Sequence, residues 1–317
     1  MTEFRIRVSK RAPGVALAGA LLLFMMAGGA SAQTQPPPPQ PPAPRPAPPA
    51  PPPPPEPADP NSGALTFTGG LDVPSKYVFR GIVQEADSKL TLFPYGDLGI
   101  SFFSGEGAIK TASVNFGVWN ALLTGSSGLD GDTDKLHYEE DFYATLNLGF
   151  GGGVSLGTTY TAYTSPNGMF GTVQELAFKV SKTQSFGPLK TETLGPYALI
   201  AFELDGQADG GSNEGVYLEL GVGPSWALAG GKVTLAVPLK FGFSLSDYYE
   251  GADGDSGFGY FQAGGLLTIP FSDATSKYGA WNLHGGVDFY AFGDTTKAFN
   301  NGDSGKAVAS FGIGVVY

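Results

Sequence analysis

The chain has 317 residues and a formal net charge of −11, and it is rich in Gly (48) and Pro (26). It contains no Cys, which excludes disulfide frameworks, CxxC redox chemistry and thiolate metal sites. The acidic balance leaves no basic patch for nucleic acid, so the sequence disfavours that partner.

Residues 1–32 predict a secretory signal peptide. A basic segment, residues 5–11, precedes an apolar stretch, residues 15–27, and an A-x-A cleavage site follows at residues 30–32. A transmembrane anchor is the alternative, but the apolar run is shorter than the roughly 20 residues of a spanning helix. We therefore expect export and removal of these residues.

Residues 33–62 form a Pro-rich segment that cannot pack a core. We expect a disordered, extended linker in the periplasm, and about 25 polyproline residues at ~3.1 Å each would reach roughly 75 Å. The segment is either a solvated tether, an arm that reaches the cell wall, or a ligand for a PxxP-type module.

From residue 63 onward the sequence alternates between apolar and polar residues. In Lys232–Leu245 the odd positions are all apolar and the even positions are mostly small or polar, which predicts a strand with two different faces. Pro238 interrupts this pattern and indicates a bulge. We expect twelve such strands, near 64–80, 90–103, 109–122, 138–150, 152–164, 173–183, 193–204, 215–228, 232–245, 258–270, 280–292 and 306–317.

The links between these strands alternate between short and long, which is typical of outer-membrane barrels. The last strand ends on Tyr317, similar to the aromatic end of bacterial outer-membrane proteins. We therefore predict that residues 63–317 form an all-β, transmembrane, antiparallel up-and-down β-barrel of about 12 strands. Both termini should lie on the short-turn, periplasmic side of the outer membrane. A soluble β-sandwich is the alternative, although it does not require alternating link lengths.

The run Ser75-x-Tyr77-x-Phe79-Arg80-Gly81-x-x-Gln84 resembles a motif near the first strand of the TorF-type porin family of Gram-negative bacteria. The resemblance covers the barrel, though weakly after residue 103, and it implies a small outer-membrane porin. The Pro-rich segment departs from the usual pattern of that family. The resemblance supplies neither a substrate nor a set of pore residues.

Strand parity predicts which charged side chains face the barrel interior. The candidates for the pore lining are Lys76, Asp97, Asp141, Glu175, Lys179, Glu219, Lys240 and Asp288, together with Arg80 near the outer end of the first strand. Such charges either line an open pore and select ions, or form a salt-bridged plug. Glycines at inward positions, such as Gly221 and Gly242, are expected to leave space for a passage.

The long loops are acidic and should attract cations and repel anions. Asp130, Asp132 and Asp134 echo a calcium loop, but Lys135 stands where such a loop needs Gly. We expect solvated acidic loops, bridged to lipopolysaccharide by divalent ions, rather than a specific metal site. No cofactor is expected.

Two His residues, His137 and His284, are the only ones present. A Ser/His pair on the barrel wall would indicate an outer-membrane hydrolase, but no suitable Ser lies near His284 in the sequence, so we expect no enzyme. The preferred function is a channel for passive diffusion of ions and small polar solutes, preferring cations, set in outer-membrane lipid. The alternative is a closed barrel that anchors the envelope through its Pro-rich arm.

Overall fold

Twelve antiparallel strands dominate the computed structural model, which describes residues 63–317 except 86, 88, 126–135, 253 and 273–276. The strands are β1 Leu65–Pro74, β2 Leu90–Ser104, β3 Ile109–Thr124, β4 His137–Phe150, β5 Val154–Thr164, β6 Val173–Lys182, β7 Tyr197–Asp205, β8 in two segments Val216–Val222 and Ser225–Leu228, β9 in two segments Val233–Ala236 and Leu239–Ser246, β10 Phe258–Pro270, β11 Ala280–Phe292 and β12 Gly305–Val316. The predicted signal peptide, the Pro-rich linker and the aspartates Asp130, Asp132 and Asp134 lie outside the described residues.

The sheet closes on itself. Consecutive strands pair with each other, and β12 also pairs with β1, from Thr68 opposite Val316 to Pro74 opposite Ser310. Closure leaves no unpaired edge, so every strand finds its hydrogen-bonding partners within the sheet. The predicted fold class, a closed antiparallel barrel of about twelve strands, is confirmed.

Two strands are interrupted next to a proline, so the sheet contains fourteen segments. β8 breaks at Gly223–Pro224 and β9 at Val237–Pro238, and the amide nitrogen of Val237 donates to the carbonyl oxygen of Pro224 at 2.9 Å. Proline has no N–H for the ladder, and this explains why pairing stops there. Pairing stops at Pro238 without a shift of register, since Ala236 pairs with Leu266 and Leu239 with Ala263, so the structure has a break there and not the predicted bulge.

The links alternate in the predicted way. The long links are 75–89, 125–136, 165–172, 206–215, 247–257 and 293–304, and the turns between them are 105–108, 151–153, 183–196, 229–232 and 271–279. The exceptions are 183–196 and 271–279, which are both longer than the link 165–172. Three turns contain a short 3-10 helix, at Gly151–Gly153, Gly187–Leu189 and Ala229–Gly231, and the loop after β11 contains helix α1, Asp294–Phe299. No helix of the described residues is long and apolar enough to cross a membrane.

The two faces of the sheet differ in polarity. On β4, Phe142 and Leu146 are 51% and 42% exposed on the outer face, whereas Asp141 is 8% exposed on the inner face. Phe241 on β9 and Phe289 on β11 are likewise exposed on the outer face. The alternation read from the sequence therefore separates an apolar exterior from a polar interior.

Several inward glycines do not leave open space, contrary to expectation. A Cβ at Gly242 would lie 2.2 Å from the ring of Tyr260, and one at Gly221 would lie 2.4 Å from the ring of Tyr197. The rings of Tyr260 and Tyr197, each on a neighbouring strand, pack directly against the backbone of these glycines. The glycines here admit aromatic rings, and these rings fill part of the lumen.

Candidate functional site

A short hairpin enters the barrel after β1. Val78–Phe79 pairs with Ile82–Val83, and the two residues between them, Arg80 and Gly81, have positive φ of 46° and 83°. Two successive residues with positive φ are the mark of the tight turn that joins two short strands. We call residues 78–83 the Arg80 hairpin. The prediction that placed Lys76 and Arg80 on the first strand is wrong, because β1 ends at Pro74 and this turn reverses the chain.

The side chain of Arg80 is fixed by an acid and by aromatic rings. Its Nη1 and Nη2 donate to the two carboxylate oxygens of Glu175 on β6 at 2.5 and 2.8 Å. Nη1 also donates to the hydroxyl of Tyr248 at 2.7 Å, and the guanidinium lies 4.1 Å from the ring centroid of Tyr217. Arg80 thus bridges the hairpin to the barrel wall through an ion pair and a cation–π contact.

The backbone of the hairpin is held as well. Asn300, in the loop that follows α1, donates from Nδ2 to the carbonyl oxygen of Gly81 and accepts at Oδ1 from the amide of Val83, both at 2.8 Å. The Tyr249 hydroxyl donates to the carbonyl oxygen of Arg80 at 2.9 Å. Sequence reasoning missed Asn300, because no local pattern connects that loop to the hairpin.

On one side of the Arg80 hairpin, the wall carries a cluster of ionic groups. The Glu219 carboxylate accepts hydrogen bonds at 2.5, 2.8 and 2.9 Å from the hydroxyls of Tyr197, Tyr217 and Tyr260. The amine of Lys179 lies 4.1 Å from the ring centroid of Tyr197. A cavity of about 230 Å³ opens here, lined by Val78, Phe79, Arg80, Glu219, Lys240, Tyr260, Gln262 and Tyr290.

On the other side of the hairpin lies a larger cavity of about 430 Å³, which we call the aromatic cavity. It is lined by Tyr77, Phe79, Trp119, Asp141, Tyr143, Thr145, Thr159, Thr161 and Tyr163. Phe79 borders both cavities, so the hairpin stands between them. Asp141 is the one acidic residue among these lining residues, and it faces a wall of rings and hydroxyls.

The candidate residues predicted from the sequence fall into separate groups. Arg80 joins Glu175, and Lys179, Glu219 and Lys240 share the neighbouring part of the wall. Asp141 lies across the hairpin from that group. Three candidates stand apart: Asp97 accepts from Asn115 at 2.5 Å, Asp288 lies beside Gly264, and Lys76 lies in the 75–89 link near Glu85.

His284, the histidine considered for a hydrolase site, has a partner at each ring nitrogen. Its Nδ1 lies 2.9 Å from Oδ1 of Asn282, and its Nε2 lies 2.6 Å from Oδ1 of Asp72. Both ring nitrogens are therefore engaged, and neither is hydrogen-bonded to a serine hydroxyl. A general base needs a free nitrogen directed at the nucleophile.

No protein-family model matches the chain, and no curated protein matches it. Among solved structures, it is similar to the COG4313 outer membrane channel from Pseudomonas putida F1, at 12% identity and a TM-score of 0.45, over 80% of this chain and 94% of that chain. It is also similar to the translocator domain of the autotransporter NalP from Neisseria meningitidis, at 13% identity and a TM-score of 0.38, over 81% of this chain and 90% of that chain. A third similarity is to outer membrane phospholipase A from Escherichia coli, at 11% identity and a TM-score of 0.39, over 79% of this chain and 92% of that chain.

Proposed function

We propose that this chain is an outer-membrane channel for passive diffusion of ions and small polar solutes. A closed barrel satisfies its backbone hydrogen bonds internally, which allows strands to cross lipid. Exposed rings and aliphatic side chains, such as Phe116, Phe142 and Phe311, give the outer face the character that lipid requires. The interior is polar by contrast.

The observation that carries the proposal is the lumen on either side of the Arg80 hairpin. Cavities of about 230 and 430 Å³ flank the hairpin, and charged side chains of the wall border both. A segment that narrows a charged lumen without filling it can select by size and by charge. The hairpin is the constriction of this proposed channel.

A preference for cations follows from the acidic groups near the long loops. Asp205, Asp209, Glu214, Asp247 and Glu250 lie in or beside two of these loops, and Asp141 borders the aromatic cavity. Negative charge at the mouth of a low-dielectric channel raises the local concentration of cations. A reversal potential that indicates anion preference would contradict the proposed preference for cations.

We also propose an orientation of the barrel in the outer membrane and its membership of the TorF-type family. The short turns would face the periplasm together with both termini, and the long loops would face lipopolysaccharide. Membership of the TorF-type family rests on the run from Ser75 to Gln84. In support, Phe79, Arg80 and Gly81 of this run form the tip of the hairpin, and Gln84 accepts from the Tyr138 hydroxyl at 3.1 Å.

A specific observation favours the second candidate, a closed barrel that anchors the envelope. Both the side chain and the backbone of the Arg80 hairpin are tied to the wall by hydrogen bonds. A hairpin that never moved would restrict transport through the lumen, and in this second proposal the Pro-rich residues 33–62 reach the cell wall. An anchor of this kind does not need to conduct ions.

Single-channel recording of the full chain in a planar bilayer tests the two candidates. Stepwise, reproducible currents with a cation-selective reversal potential under a salt gradient are expected for a channel. A folded, heat-modifiable barrel without current would overturn the channel proposal. Deleting residues 33–62 should leave the current unchanged, whereas the anchor requires this deletion to abolish association with the cell wall.

A further inference from the structure

A carboxylate lies between two aromatic residues on the wall of the aromatic cavity. In the sheet register, Asp141 on β4 pairs with Trp119 on β3 and with Tyr163 on β5. Adjacent strands are about 4.8 Å apart, and all three side chains line the cavity. The sheet therefore presents one acidic side chain with a ring on each side.

The Arg80 hairpin and the residue before it supply two more rings on the opposite side. The ring centroid of Tyr77 lies 5.4 Å from that of Trp119, and the ring centroid of Phe79 lies 5.5 Å from that of Tyr163. Each ring of the wall is thus matched by a ring from the link after β1. Four aromatic residues surround the space into which Asp141 faces.

Asp141 is a buried acid without a basic partner in the described residues. Asp141 is 8% exposed, and its Oδ1 is buried without a hydrogen-bond partner. Glu139, two positions earlier on the same face of β4, is 5% exposed. Within the described residues, neither carboxylate forms an ion pair with Lys, Arg or His. Glu139 and Asp141 are hydrogen-bonded to each other, which requires a proton on one of the two carboxyls. A cationic ligand would take the place of that proton as the partner of the pair.

We propose that the aromatic cavity binds the ammonium group of a small organic cation, with Asp141 as its counterion. This inference rests on the proposed channel function and names a substrate class for it. Aromatic faces attract quaternary and substituted ammonium groups by cation–π interaction, most strongly where water is excluded. Asp141 supplies the opposite charge, and the four rings supply the faces.

The surroundings distinguish an organic cation from a metal ion. Hard metal ions require several oxygen ligands, and no group of three or more acidic or histidine side chains in the described residues could hold one. Beyond the charge, the cavity continues along Thr145 and Thr159, whose hydroxyls are 2.9 Å apart. A volume of about 430 Å³ is enough for a small molecule with a polar end.

The test uses the full chain, refolded in detergent and checked by its heat-modifiable migration. Calorimetry compares choline with 3,3-dimethylbutan-1-ol, an uncharged molecule of the same shape. Choline should bind and the alcohol should not. Asp141→Asn should weaken choline binding by about tenfold or more, because a charged partner is lost. Trp119→Leu should also weaken it, and Asp303→Asn, which removes an exposed acid at the same end of the barrel, should not.

Four results would overturn the proposal. They are no choline binding, equal binding of choline and the alcohol, unchanged affinity in Asp141→Asn, and displacement of choline by equimolar sodium. Retained binding in Asp141→Asn together with competition by glucose would instead indicate a saccharide site. The choline–alcohol comparison uses the native chain, so it stays decisive if a variant misfolds. Choline binding is measured without a bilayer and is therefore independent of conduction. Choline binding without conduction would refute only the channel proposal. Conduction without choline binding would refute only the proposed cation site.

Discussion

Arg80 and Glu175, 95 residues apart in the chain, form a two-point ion pair between the hairpin and β6. Their side chains are 11% and 3% exposed. A guanidinium that meets both oxygens of a carboxylate fixes direction as well as distance. Removal of one partner from a buried pair leaves the other without a counter-charge, at a cost of about 3–5 kcal/mol. The pair therefore holds the constriction in place.

The substitution Arg80→Ala should release the hairpin from the wall. We expect a larger single-channel conductance, because the hairpin would no longer be held across the lumen. We also expect stronger cation selectivity, because Glu175 would lose its counter-charge. The loss of stability should be about 3 kcal/mol. Planar-bilayer recording and urea unfolding measure these effects.

Lys110→Ala is the control for this substitution. Lys110 pairs with Glu106 in the exposed turn between β2 and β3, and exposed pairs of this kind contribute only about 0–1 kcal/mol. Conductance and unfolding should therefore match those of the native chain. If Arg80→Ala conducted like the control, the hairpin would not limit the current.

The substitution Asn300→Ala should loosen the hairpin from its other side. It removes the two hydrogen bonds, at 2.8 Å each, that tie the hairpin backbone to the loop after α1. The unpaired groups should cost about 1–3 kcal/mol, and the current through an open channel should become noisier. Lys297→Ala, an exposed change in α1 just before Asn300, should leave the noise as it was. Equal noise in both variants would contradict a restraining role for Asn300.

The barrel could be predicted because its physics is local. In Phe142–Phe150 and Lys232–Leu245, each residue's position in the alternation decides which face it occupies, and closure follows from repetition of that pattern. Long loops and short turns then indicate the two ends of the barrel. For the same reason, Asp141 and Glu175 were placed on the inner face without any structural information.

The constriction could not be predicted, because its contacts are not periodic. Asn300 meets Gly81 across 219 residues, and nothing near either residue indicates the other. Parity fails beyond Pro74, where the strand ends and a turn with positive φ begins. The filling of the lumen was missed for a related reason, because a glycine in a sequence does not show which ring from the next strand covers it.

The substitution Gly242→Ala tests the contact between glycine and tyrosine. The added Cβ would lie 2.2 Å from the ring of Tyr260, so the ring must shift and disturb the hydrogen bond from its hydroxyl to Glu219. We expect a loss of about 1–3 kcal/mol from overpacking, measured by urea unfolding. Gly265→Ala is the control, since a Cβ there would meet nothing within 4 Å. Equal stability of the two variants would show that the ring adjusts freely.

Glu85 should make stability depend on pH. It lies in the 75–89 link, outside the strands, and is 3% exposed. Burial raises its pKa to about 7, although Lys76 lowers it and Asp87 adds to the rise. With a folded pKa above the unfolded value, its contribution is complete at low pH and is lost as the pH rises through about 7.

The substitution Glu85→Gln removes this titration. The free energy of unfolding of the variant, relative to that of the native chain, should rise from about pH 5 to about pH 8. The native carboxyl becomes charged while it is buried, and this destabilises the native chain, whereas the amide stays neutral. Urea midpoints at the two pH values measure the difference. Glu106→Gln, which changes an exposed acid in a turn, should keep the native pH dependence. Parallel pH profiles for the native chain and Glu85→Gln would show that the buried carboxyl is not what titrates.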